Sequence, residues 1–316
     1  SMILFCAKMA DRYQKKSVRN KFKEEDLWKN PDAFLKEYPV VLSTTYSISK
    51  TLSKRHMFDY IIVDEASQVD LVTGVLTFAC AENIIIVGDL MQLPNVVTQE
   101  NKLQADAIWD KYRLPDWYDY VRHSLLSSVI AIWENAPRTL LKEHYRCHPK
   151  IIGFCNQKFY DNQLIIMTED HGEEDVLGLY YTNAGNHARK RINQRQIDVI
   201  TKEVIPELNV PMEQIGIISP YRDQADAVIN ETRKSNTEAD TVHKYQGREK
   251  ENIIVTSVDN QIGQFADNLN MLNVAVSRAI NKLRLILSPD ERNNSTNIGD
   301  LIRYIRYQTF NVFESK

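Results

Sequence analysis

The stretch Y-I-I-V-D-E-A-S-Q, residues 60–68, joins an apolar, β-branched run to two adjacent carboxylates. A short run of this kind, bounded by polar residues, predicts a buried strand. Asp64 and Glu65 then follow that strand directly. They form either a solvated strand end that happens to carry charge, or a magnesium and water site of the kind that nucleoside triphosphatases use.

The next elements along the chain bring further polar residues to these carboxylates. Residues 71–81 are long enough for a helix, and residues 83–87 are again short, apolar and β-branched. A strand, a helix and a parallel strand form a right-handed crossover, which brings both strand ends to one edge of the sheet. Asp64 and Glu65 are therefore expected to share a crevice with residues 88–92, at the edge where open α/β sheets bind ligands.

The triphosphatase interpretation gives each of these polar side chains a task. Phosphoryl transfer depends mostly on positioning and on charge neutralisation. Asp64 can hold magnesium, usually through water, while Glu65 can orient and deprotonate the attacking water. The amide of Gln92 can contact the γ-phosphate or its water without adding negative charge.

Short apolar runs alternate with longer amphipathic ones along the chain, which predicts the α/β fold class with largely parallel sheets. Residues 100–137 show no strand period and are expected to form a helical connection. Further strands are expected at residues 3–7, 40–42, 138–143, 178–182, 215–219, 239–242, 252–258 and 282–287. Helices are expected at residues 149–160 and 191–205, from Arg222, and around residues 269–279.

Composition excludes several classes of protein. The 316 residues are enough for two domains, and 43% hydrophobic with 26% charged residues is ordinary for a soluble globular chain. Every apolar run is too short to span a membrane and the N-terminus has no signal-peptide pattern, so no membrane partner is expected. The four cysteines form no C-x-x-C pair and have no zinc-like spacing, so we expect reduced thiols in a cytoplasmic protein. A net charge of −3 gives no overall basic field, although residues 14–23 and 187–195 are locally basic.

Cationic and aromatic candidates lie in the second half. Tyr145 and Arg146 follow an expected strand; a tyrosine ring can stack on a purine, and a guanidinium can clamp phosphate. Arg278 lies on an expected apolar helix, where it either pairs with a carboxylate or faces a phosphate as an arginine finger. Residues 241–250, T-V-H-K-Y-Q-G-R-E-K, are either a phosphate- and ribose-binding loop or a hairpin-like connection with Gly247 at its turn.

Six stretches in order resemble motifs of the superfamily 1 helicases, most closely the 1B branch that contains the up-frameshift RNA helicase. They are I-I-V-D-E-A-S-Q (motif II), V-G-D-L-M-Q-L-P-N-V-V (motif III), L-L-K-E-H-Y-R-C-H-P, I-I-S-P-Y-R-D-Q, T-V-H-K-Y-Q-G-R-E-K (motif V) and L-N-V-A-V-S-R-A (motif VI). The resemblance implies tandem RecA-like domains with parallel sheets, at residues 1–137 and 138–316. It also implies ATP and Mg²⁺ bound between them, and single-stranded DNA or RNA crossing both.

The resemblance implies a role for each matching residue and favours the magnesium-and-water interpretation. The implied catalytic residues are Asp64 (magnesium-site acid), Glu65 (general base), Gln92 (phosphate sensor), Arg146 (γ-phosphate arginine) and Arg278 (arginine finger). The implied nucleotide-binding residues are Tyr145 (stacked on adenine), Gln246, Gly247 and Glu249. The implied nucleic-acid contacts, which carry little sequence information, are Thr44, Thr45, Pro220, Tyr221, Thr241 and His243.

The chain departs from the family pattern in one respect. No G-x-x-x-x-G-K-[ST] phosphate loop occurs in the 316 residues, and residues 3–8 resemble motif Ia, which follows that loop in the family. The simplest expectation is a fragment that begins just downstream of the loop and is inactive alone. The missing central strand would leave an incomplete first sheet with unpaired edges. We therefore expect a loosened first domain or strand-swapped self-association.

Three functions remain open from the sequence. The first is a fragment of an ATP-dependent helicase that translocates 5′→3′ on single-stranded nucleic acid, the polarity coming only from the branch resemblance. The second is a non-catalytic nucleic-acid-binding module. The third is an ATPase subunit of a larger restriction or mobile-element protein.

Overall fold

The computed structural model describes residues 21–23, 25–51, 57–185, 187–232, 237–289, 295–308 and 312–315. The chain divides into two compact units. The first unit is Ser1–Leu90 with Pro94–Ala136, and the second is Met91–Leu93 with Pro137–Lys316. The strand predicted at residues 3–7 and its motif Ia resemblance lie outside the described residues.

The described part of the first unit is built on one parallel pair of strands. Its described elements in chain order are α1 (Asp26–Lys29), α2 (Pro31–Glu37), α3 (Ile48–Thr51), β1 (Phe58–Val63), α4 (Leu71–Phe78), β2 (Ala81–Ile86), α5 (Gln99–Tyr112) and α6 (Leu125–Ile132). β1 and β2 pair in parallel, from Phe58 opposite Ala81 to Val63 opposite Ile86. The predicted crossover and the helical character of residues 100–137 are thus confirmed.

Local sequence explains why these elements begin where they do. The Asp70 carboxylate caps α4 by accepting from the backbone N–H groups of Val72 and Thr73, at 3.0 and 3.1 Å. One face of β1 is buried through Ile61 and Val63, which pack with the buried Leu125 of α6. The α4–α6 packing therefore fixes the strands whose ends carry Asp64 and Gly88.

The second unit holds a six-stranded sheet in the order β12-β5-β11-β10-β8-β9, with every neighbour parallel. Its strands are β3 (Glu143–His144), β4 (Ile165–Ile166), β5 (Leu177–Tyr181), β6 (Ala188–Arg189), β7 (Ile192–Asn193), β8 (Ile215–Ser219), β9 (Glu238–Thr241), β10 (Lys250–Thr256), β11 (Ala279–Leu287) and β12 (Val312–Glu314). Its helices are α7 (Pro149–Phe159), α8 (Gln194–Val199), α9 (Ile205–Leu208), α10 (Arg222–Glu231), α11 (Val242–Tyr245), α12 (Leu269–Ser277) and α13 (Asn297–Gln308), and a π-helical turn (Ile200–Val204) joins α8 to α9.

Both faces of this sheet are covered. One hydrophobic core contains Ile253 and Val255 of β10 together with residues of α7, α12 and α13. A second core contains Ile254 of the same strand together with residues of α8 and α10. Burial on both faces is characteristic of parallel sheets and explains the continuous apolar runs of the sequence. The α/β fold class with parallel sheets is confirmed.

Several predicted elements are wrong or have shifted boundaries. Residues 40–42 form no strand; Val40 and Leu42 are 77% and 94% exposed and pair with no described strand. In place of the strand predicted at residues 138–143, the structure has a two-residue strand at Glu143–His144. An apolar run without a hydrogen-bonding neighbour gains nothing from extending, since strand stability comes from pairing. The helix predicted from residue 191 begins at Gln194.

The hairpin interpretation of residues 241–250 is also wrong. β9 and β10 both pair in parallel with β8, on opposite sides of it. The connection contains the short helix α11 and a turn at Gly247, where φ is +81°. A positive φ is accessible to glycine at little cost, which explains the residue type at that position.

No helix among the described residues is long and apolar enough to cross a membrane.

The contact between α4 and α6 generates a testable prediction. A Cβ added to Gly74 would lie 2.5 Å from Cδ1 of Leu125, whose side chain is buried. Overpacking of this kind costs about 1–3 kcal/mol, against a helix-propensity gain of about 1 kcal/mol. We expect Gly74→Ala to lower the free energy of unfolding of the first unit by roughly 1 kcal/mol, since the overpacking cost exceeds the propensity gain.

Urea unfolding followed by tryptophan fluorescence reports on this unit, because all four tryptophans of the chain lie in it. Val75→Ala is the control, since Val75 is 60% exposed on the same helix α4 of the first unit. A gain in stability for Gly74→Ala would contradict the packing account.

Candidate functional site

The first unit presents two carboxylates on a tight turn after β1. The Glu65 N–H donates to Oδ1 of Asp64 at 2.9 Å, and the Ala66 N–H donates to the Val87 carbonyl at 2.9 Å. Glu65 has φ +50°, a left-handed conformation that is uncommon for residues other than glycine. Asp64 is exposed and Glu65 is half-buried. Both carboxylates are therefore held at the strand end and accessible to solvent.

Gly88 lies directly against this turn. A Cβ on Gly88 would be 3.2 Å from the backbone nitrogens of both Ala66 and Ser67. The exits of β1 and β2 thus meet at one edge, as the crossover predicts. Asp64 supplies a hard oxygen donor there, and Mg²⁺ is bound in phosphate-handling sites by one or two carboxylates with water and phosphate oxygens. The donor set at this edge fits that ion.

Gln92, which was expected to share a crevice with Asp64, is grouped with the second unit. Its side-chain oxygen accepts from Nε2 of Gln246 at 3.5 Å. Its carbonyl accepts from Nδ2 of Asn270 at 2.5 Å, and the Met91 carbonyl accepts from Nδ2 of Asn273 at 2.9 Å. The structure therefore brings the expected phosphate sensor together with the residues of motifs V and VI.

Asn270 and Asn273 were missed at the sequence level. They lie three residues apart on α12 and so share one face of that helix. Two amides at this spacing within an otherwise apolar helix are the signal that marks them.

A cluster of opposite charges follows β3 in the second unit. Nε of Arg146 lies 2.5 Å from Oε2 of Glu249, with both side chains partly exposed. Nε2 of His144 accepts from the Cys147 N–H at 2.9 Å. Burial lowers the pKa of His144, and the charges of Arg146 and Arg278 lower it further. The imidazole of His144 is therefore held in its neutral form by burial and by the positive charges of two guanidinium groups.

Arg278 follows the last residue of α12 and is 5% exposed. Its guanidinium donates to the carbonyls of Val274 and Arg248, at 3.3 and 3.5 Å, and to the Ser277 hydroxyl at 3.3 Å. These bonds hold the side chain against the segment that carries Glu249.

Tyr145 presents its ring to solvent. The residue is 65% exposed, and its hydroxyl donates to the carboxylate of Glu143. That hydrogen bond is the largest cause of the raised pKa of Tyr145, followed by burial and the charge of Glu143. A ring tethered at its hydroxyl and open on its face is suited to stack on a planar ligand.

The expected nucleic-acid contacts fall into two groups. In the first unit, Oγ1 of Thr44 accepts from the Ser47 N–H at 3.2 Å, and the Thr45 carbonyl accepts from Oγ1 of Thr77 at 3.2 Å. In the second unit, Ser219 pairs with Thr241 at the ends of β8 and β9. That pairing brings the residues after the two strand ends to one edge of the sheet. These residues are Pro220, Tyr221 and His243. Burial lowers the pKa of His243, so its imidazole is neutral at neutral pH.

A separate cluster has the spacing of a metal site, but its hydrogen bonds do not leave the imidazole nitrogen that faces the carboxylates free to be a ligand. Ligand atoms of His148, Asp170 and Glu173 lie within 4.8 Å of one another. Nδ1 of His148 accepts from the Lys150 N–H at 3.1 Å, so the proton of a neutral ring is on Nε2, which faces both carboxylates. The Lys150 ammonium also lies 3.4 Å from Asp170. The cluster is thus a hydrogen-bonded ion-pair network at the start of α7.

Comparison with known proteins assigns the family. Two family models, each described as an AAA domain, match residues 121–290 and 6–100. The first alone covers more than half of the chain, and the chain belongs to this AAA-domain family. The resemblance to helicases that the motifs indicated is confirmed, because the curated relatives of the chain are named ATP-dependent helicases.

Three of these relatives show the extent of the similarity. The uncharacterized ATP-dependent helicase MG140 of Mycoplasma genitalium is 26% identical over 92% of this chain and 29% of its own length. The DNA replication ATP-dependent helicase/nuclease DNA2 of Gallus gallus is 26% identical over 78% of this chain and 25% of its own length. The uncharacterized ATP-dependent helicase MJ0104 of Methanocaldococcus jannaschii is 25% identical, over 80% and 39%. The chain therefore spans well under half the length of these relatives.

Solved helicase structures are more distant. The structure of PRRSV helicase superposes with a TM-score of 0.39 and 14% identity, covering 72% of this chain and 34% of that one. An arterivirus nonstructural protein 10 helicase in complex with DNA gives 0.38 and 11%, covering 73% and 39%. The fold class rests on the parallel sheets described above rather than on these partial superpositions.

The neutral state of His144 leads to a prediction about pH. The pKa of His144 is lowered in the folded state, so the unfolded chain binds a proton more readily. The stability contributed by the neutral ring is therefore present above the unfolded pKa, which is about 6.5, and it is lost as the pH falls. We expect the free energy of unfolding of the second unit to decrease between about pH 7.5 and 5.5 by at most about 1.4 kcal/mol per pH unit for this group.

In His144→Gln that part of the pH dependence should disappear, while the exposed His171→Gln should retain it. Urea unfolding followed by circular dichroism at several pH values measures both. An unchanged pH profile for His144→Gln would refute the assignment.

Proposed function

We propose that this chain is part of an ATP-driven motor that moves along single-stranded DNA or RNA. The observation that carries the proposal is the second-unit cluster, in which Arg146 pairs with Glu249 and Arg278 donates to the carbonyl of the adjacent Arg248, while the ring of Tyr145 faces solvent. Two guanidinium groups beside an exposed aromatic ring are what a nucleoside triphosphate requires, since the phosphates need paired donors and the purine needs a stacking face.

The residues of the second unit take the nucleotide-binding tasks in this proposal. Tyr145 stacks on the base, and Arg146 and Arg278 stabilise negative charge on the transferred phosphoryl group. Arg146 is already paired with Glu249, so a phosphate must compete with that carboxylate for the guanidinium. Glu249 is then released for a ribose hydroxyl, and Gln246 with Gly247 contributes to the same site.

The residues of the first unit take the hydrolytic tasks. Asp64 holds hydrated Mg²⁺, which when bound neutralises charge on the phosphates. Glu65 orients the attacking water and accepts its proton. The half-buried position of Glu65 and its hydrogen bond from Nε2 of Gln68, at 3.3 Å, support a fixed orientation for that carboxylate.

The finer parts of the proposal follow from the helicase resemblance. The two units correspond to two RecA-like domains with a boundary near residue 137, the first of them incomplete. Thr44, Thr45, Pro220, Tyr221, Thr241 and His243 contact the nucleic-acid backbone, and translocation runs 5′→3′. A non-catalytic nucleic-acid-binding module is the second candidate, and the lack of a G-x-x-x-x-G-K-[ST] sequence within the 316 residues favours it.

Steady-state ATP hydrolysis with Mg²⁺, with and without single-stranded DNA or RNA, separates the two candidates. The 316-residue chain and the natural protein that contains it are compared. We expect hydrolysis in the natural protein, stimulated by a single strand, and little or none in the chain alone. Glu65→Gln should reduce the rate by about 10²–10⁴-fold, because general-base catalysis typically contributes that much.

Glu82→Gln is the matched control, since Glu82 is an exposed carboxylate on β2 in the same unit. Wild-type hydrolysis in Glu65→Gln would refute the assigned base. Absence of hydrolysis in every protein, with binding of single strands retained, would establish the binding-module candidate instead.

We also propose that the first unit associates through its exposed sheet face. Parallel sheets normally bury both faces, yet Tyr60 and Ile62 of β1 are 63% and 66% exposed, and Ile85 of β2, which lies opposite Ile62 on the same face, is 45% exposed. Among the described residues this sheet has two strands, so its outer edges lack a strand neighbour there. An apolar face beside an unpaired edge favours pairing with a second copy of the chain.

Sedimentation velocity over a range of concentrations tests this association. We expect the chain to self-associate and Ile62→Lys to shift it to monomer, because a charge on the sheet face opposes edge-to-edge pairing. Val40→Lys, an exposed apolar position outside the sheet, should leave association unchanged. A parent chain that is monomeric at every concentration would contradict the proposal.

A further inference from the structure

Tyr221 stands among groups that no sequence motif marked. Its ring is stacked with that of Phe265, with centroids 5.7 Å apart and planes 19° apart. The guanidinium carbon of Arg191 lies 5.5 Å from the Tyr221 ring centroid. The Tyr221 hydroxyl donates to Oδ2 of Asp259 at 2.7 Å. Phe265 is 53% exposed, so an aromatic face remains available to a ligand.

Arg191 lies on a two-residue hairpin turn that carries a concentration of positive charge. β6 and β7 pair in antiparallel fashion around Lys190 and Arg191, which have φ of +50° and +63°. Such turns favour asparagine and glycine, so two long cations there are conformationally costly. The neighbouring Arg189 is exposed together with both turn residues. The tip of the hairpin therefore presents three consecutive cations to solvent.

Buried amides hold this hairpin and the loop after β10 in fixed positions. Nδ2 of Asn193 donates to the Val258 carbonyl at 2.8 Å, and the Asn193 N–H donates to Oε1 of Gln224 at 2.8 Å. The Val258 N–H donates to Oε1 of Gln196 at 3.0 Å. Val258 has φ +67°, which is an outlier for a β-branched residue and persists only where the surroundings enforce it. The loop that leads to Asp259 is thus rigidly placed.

These groups gather at the edge of the sheet where ligands bind. Tyr221 follows β8, while Asp259 and Phe265 follow β10, and the two strands are parallel neighbours. The carboxyl ends of parallel strands are where open α/β sheets bind ligands. An exposed aromatic face beside a cationic tip is also the combination by which proteins bind single strands, with bases stacked on rings and phosphates held by cations.

We propose that Phe265, Tyr221 and Arg191 form a subsite for one nucleotide of a single-stranded nucleic acid. The base stacks on the exposed face of Phe265, and Arg191 with the rest of the hairpin tip holds the adjoining phosphate. Asp259 positions Tyr221 through its hydroxyl. The inference rests on the proposed nucleic-acid partner and adds two residues, Arg191 and Phe265, to the expected contacts.

Fluorescence anisotropy with labelled oligo(dT) and oligo(U) of about 16 nucleotides, a length that covers the usual range of site sizes, tests the aromatic part. We expect Phe265→Ala and Phe265→Leu to weaken binding by about tenfold, since leucine keeps apolar bulk but has no π face to stack. Phe265→Trp should bind at least as tightly as the parent. Tyr307→Ala, at a residue that is 88% exposed elsewhere in the same unit, is the control.

The dependence of affinity on salt tests the cationic part. Arg191→Ala should reduce the slope of log K against log salt by about 0.7, the value for one lost phosphate contact to a single strand. Arg191→Lys should restore that slope, and Phe265→Ala should leave it unchanged because stacking releases no counterions. Lys202→Ala, an exposed cation on the same unit, is the matched control.

The outcomes separate this subsite from the proposed function. If the parent binds single strands while the Phe265 and Arg191 variants match it in affinity and salt slope, the subsite is refuted and the motor proposal stands. If Phe265→Leu binds normally but Phe265→Ala is unstable in thermal melting, Phe265 has a packing role and the subsite is again refuted. If the parent binds no single strand, the inference and the nucleic-acid part of the proposed function fail together, while Glu65-dependent hydrolysis would preserve the ATPase part.

Discussion

Parallel hydrogen bonding between neighbouring strands is the constraint on which the rest of the structure depends. Each strand of the six-stranded sheet must enter from the same side as its neighbours, so every connection returns by a helix across one face. The carboxyl ends consequently collect at one edge, and residues far apart in sequence, such as Tyr221 and Phe265, become neighbours. The same rule brings Gly88 against the Asp64–Glu65 turn in the first unit. Candidate site residues are concentrated at these edges because the loops that follow parallel strands meet there.

The two units differ in how their sheets and polar groups are buried. The second unit buries both faces of its sheet and encloses polar groups in mutually satisfied networks, as around Asn193 and Gln196. Such networks tolerate a strained Val258, because the amides that hold it have no better partners. In its described part, the first unit exposes apolar strand residues and has one small core around Leu125. The second unit, which carries Arg146 and Arg278, therefore has the more extensive described core, and the carboxylate turn lies on the unit with the smaller one.

Burial on both faces and strand pairing decide how much of the fold could be predicted from the sequence. The strands at Leu177–Tyr181 and Ile215–Ser219 are buried on both faces, so their apolar runs were unambiguous and their positions were correct within a residue or two. Residues 40–42 have similar composition but no neighbour to pair with among the described strands, and pairing is a non-local property that no local pattern records. Tyr145 and Arg146 were predicted as site residues because they lie in one contiguous motif. Phe265 was not, and Arg191 was noted only within the basic stretch 187–195, since a ring stack between distant loops leaves no mark in either stretch.

The membership of Met91–Leu93 in the second unit affects how the protein can be made and divided. Leu93 is 4% exposed within a core otherwise built from residues after position 146. During synthesis, Leu93 therefore leaves the ribosome before the residues it packs against and can be buried only after they have emerged. A protein cut at Pro137 would lack Leu93 and the carbonyls that accept from Asn270 and Asn273. Its core would contain a void and two amides deprived of these acceptors. Genetic dissection at the apparent boundary would therefore yield a damaged second half rather than an autonomous one.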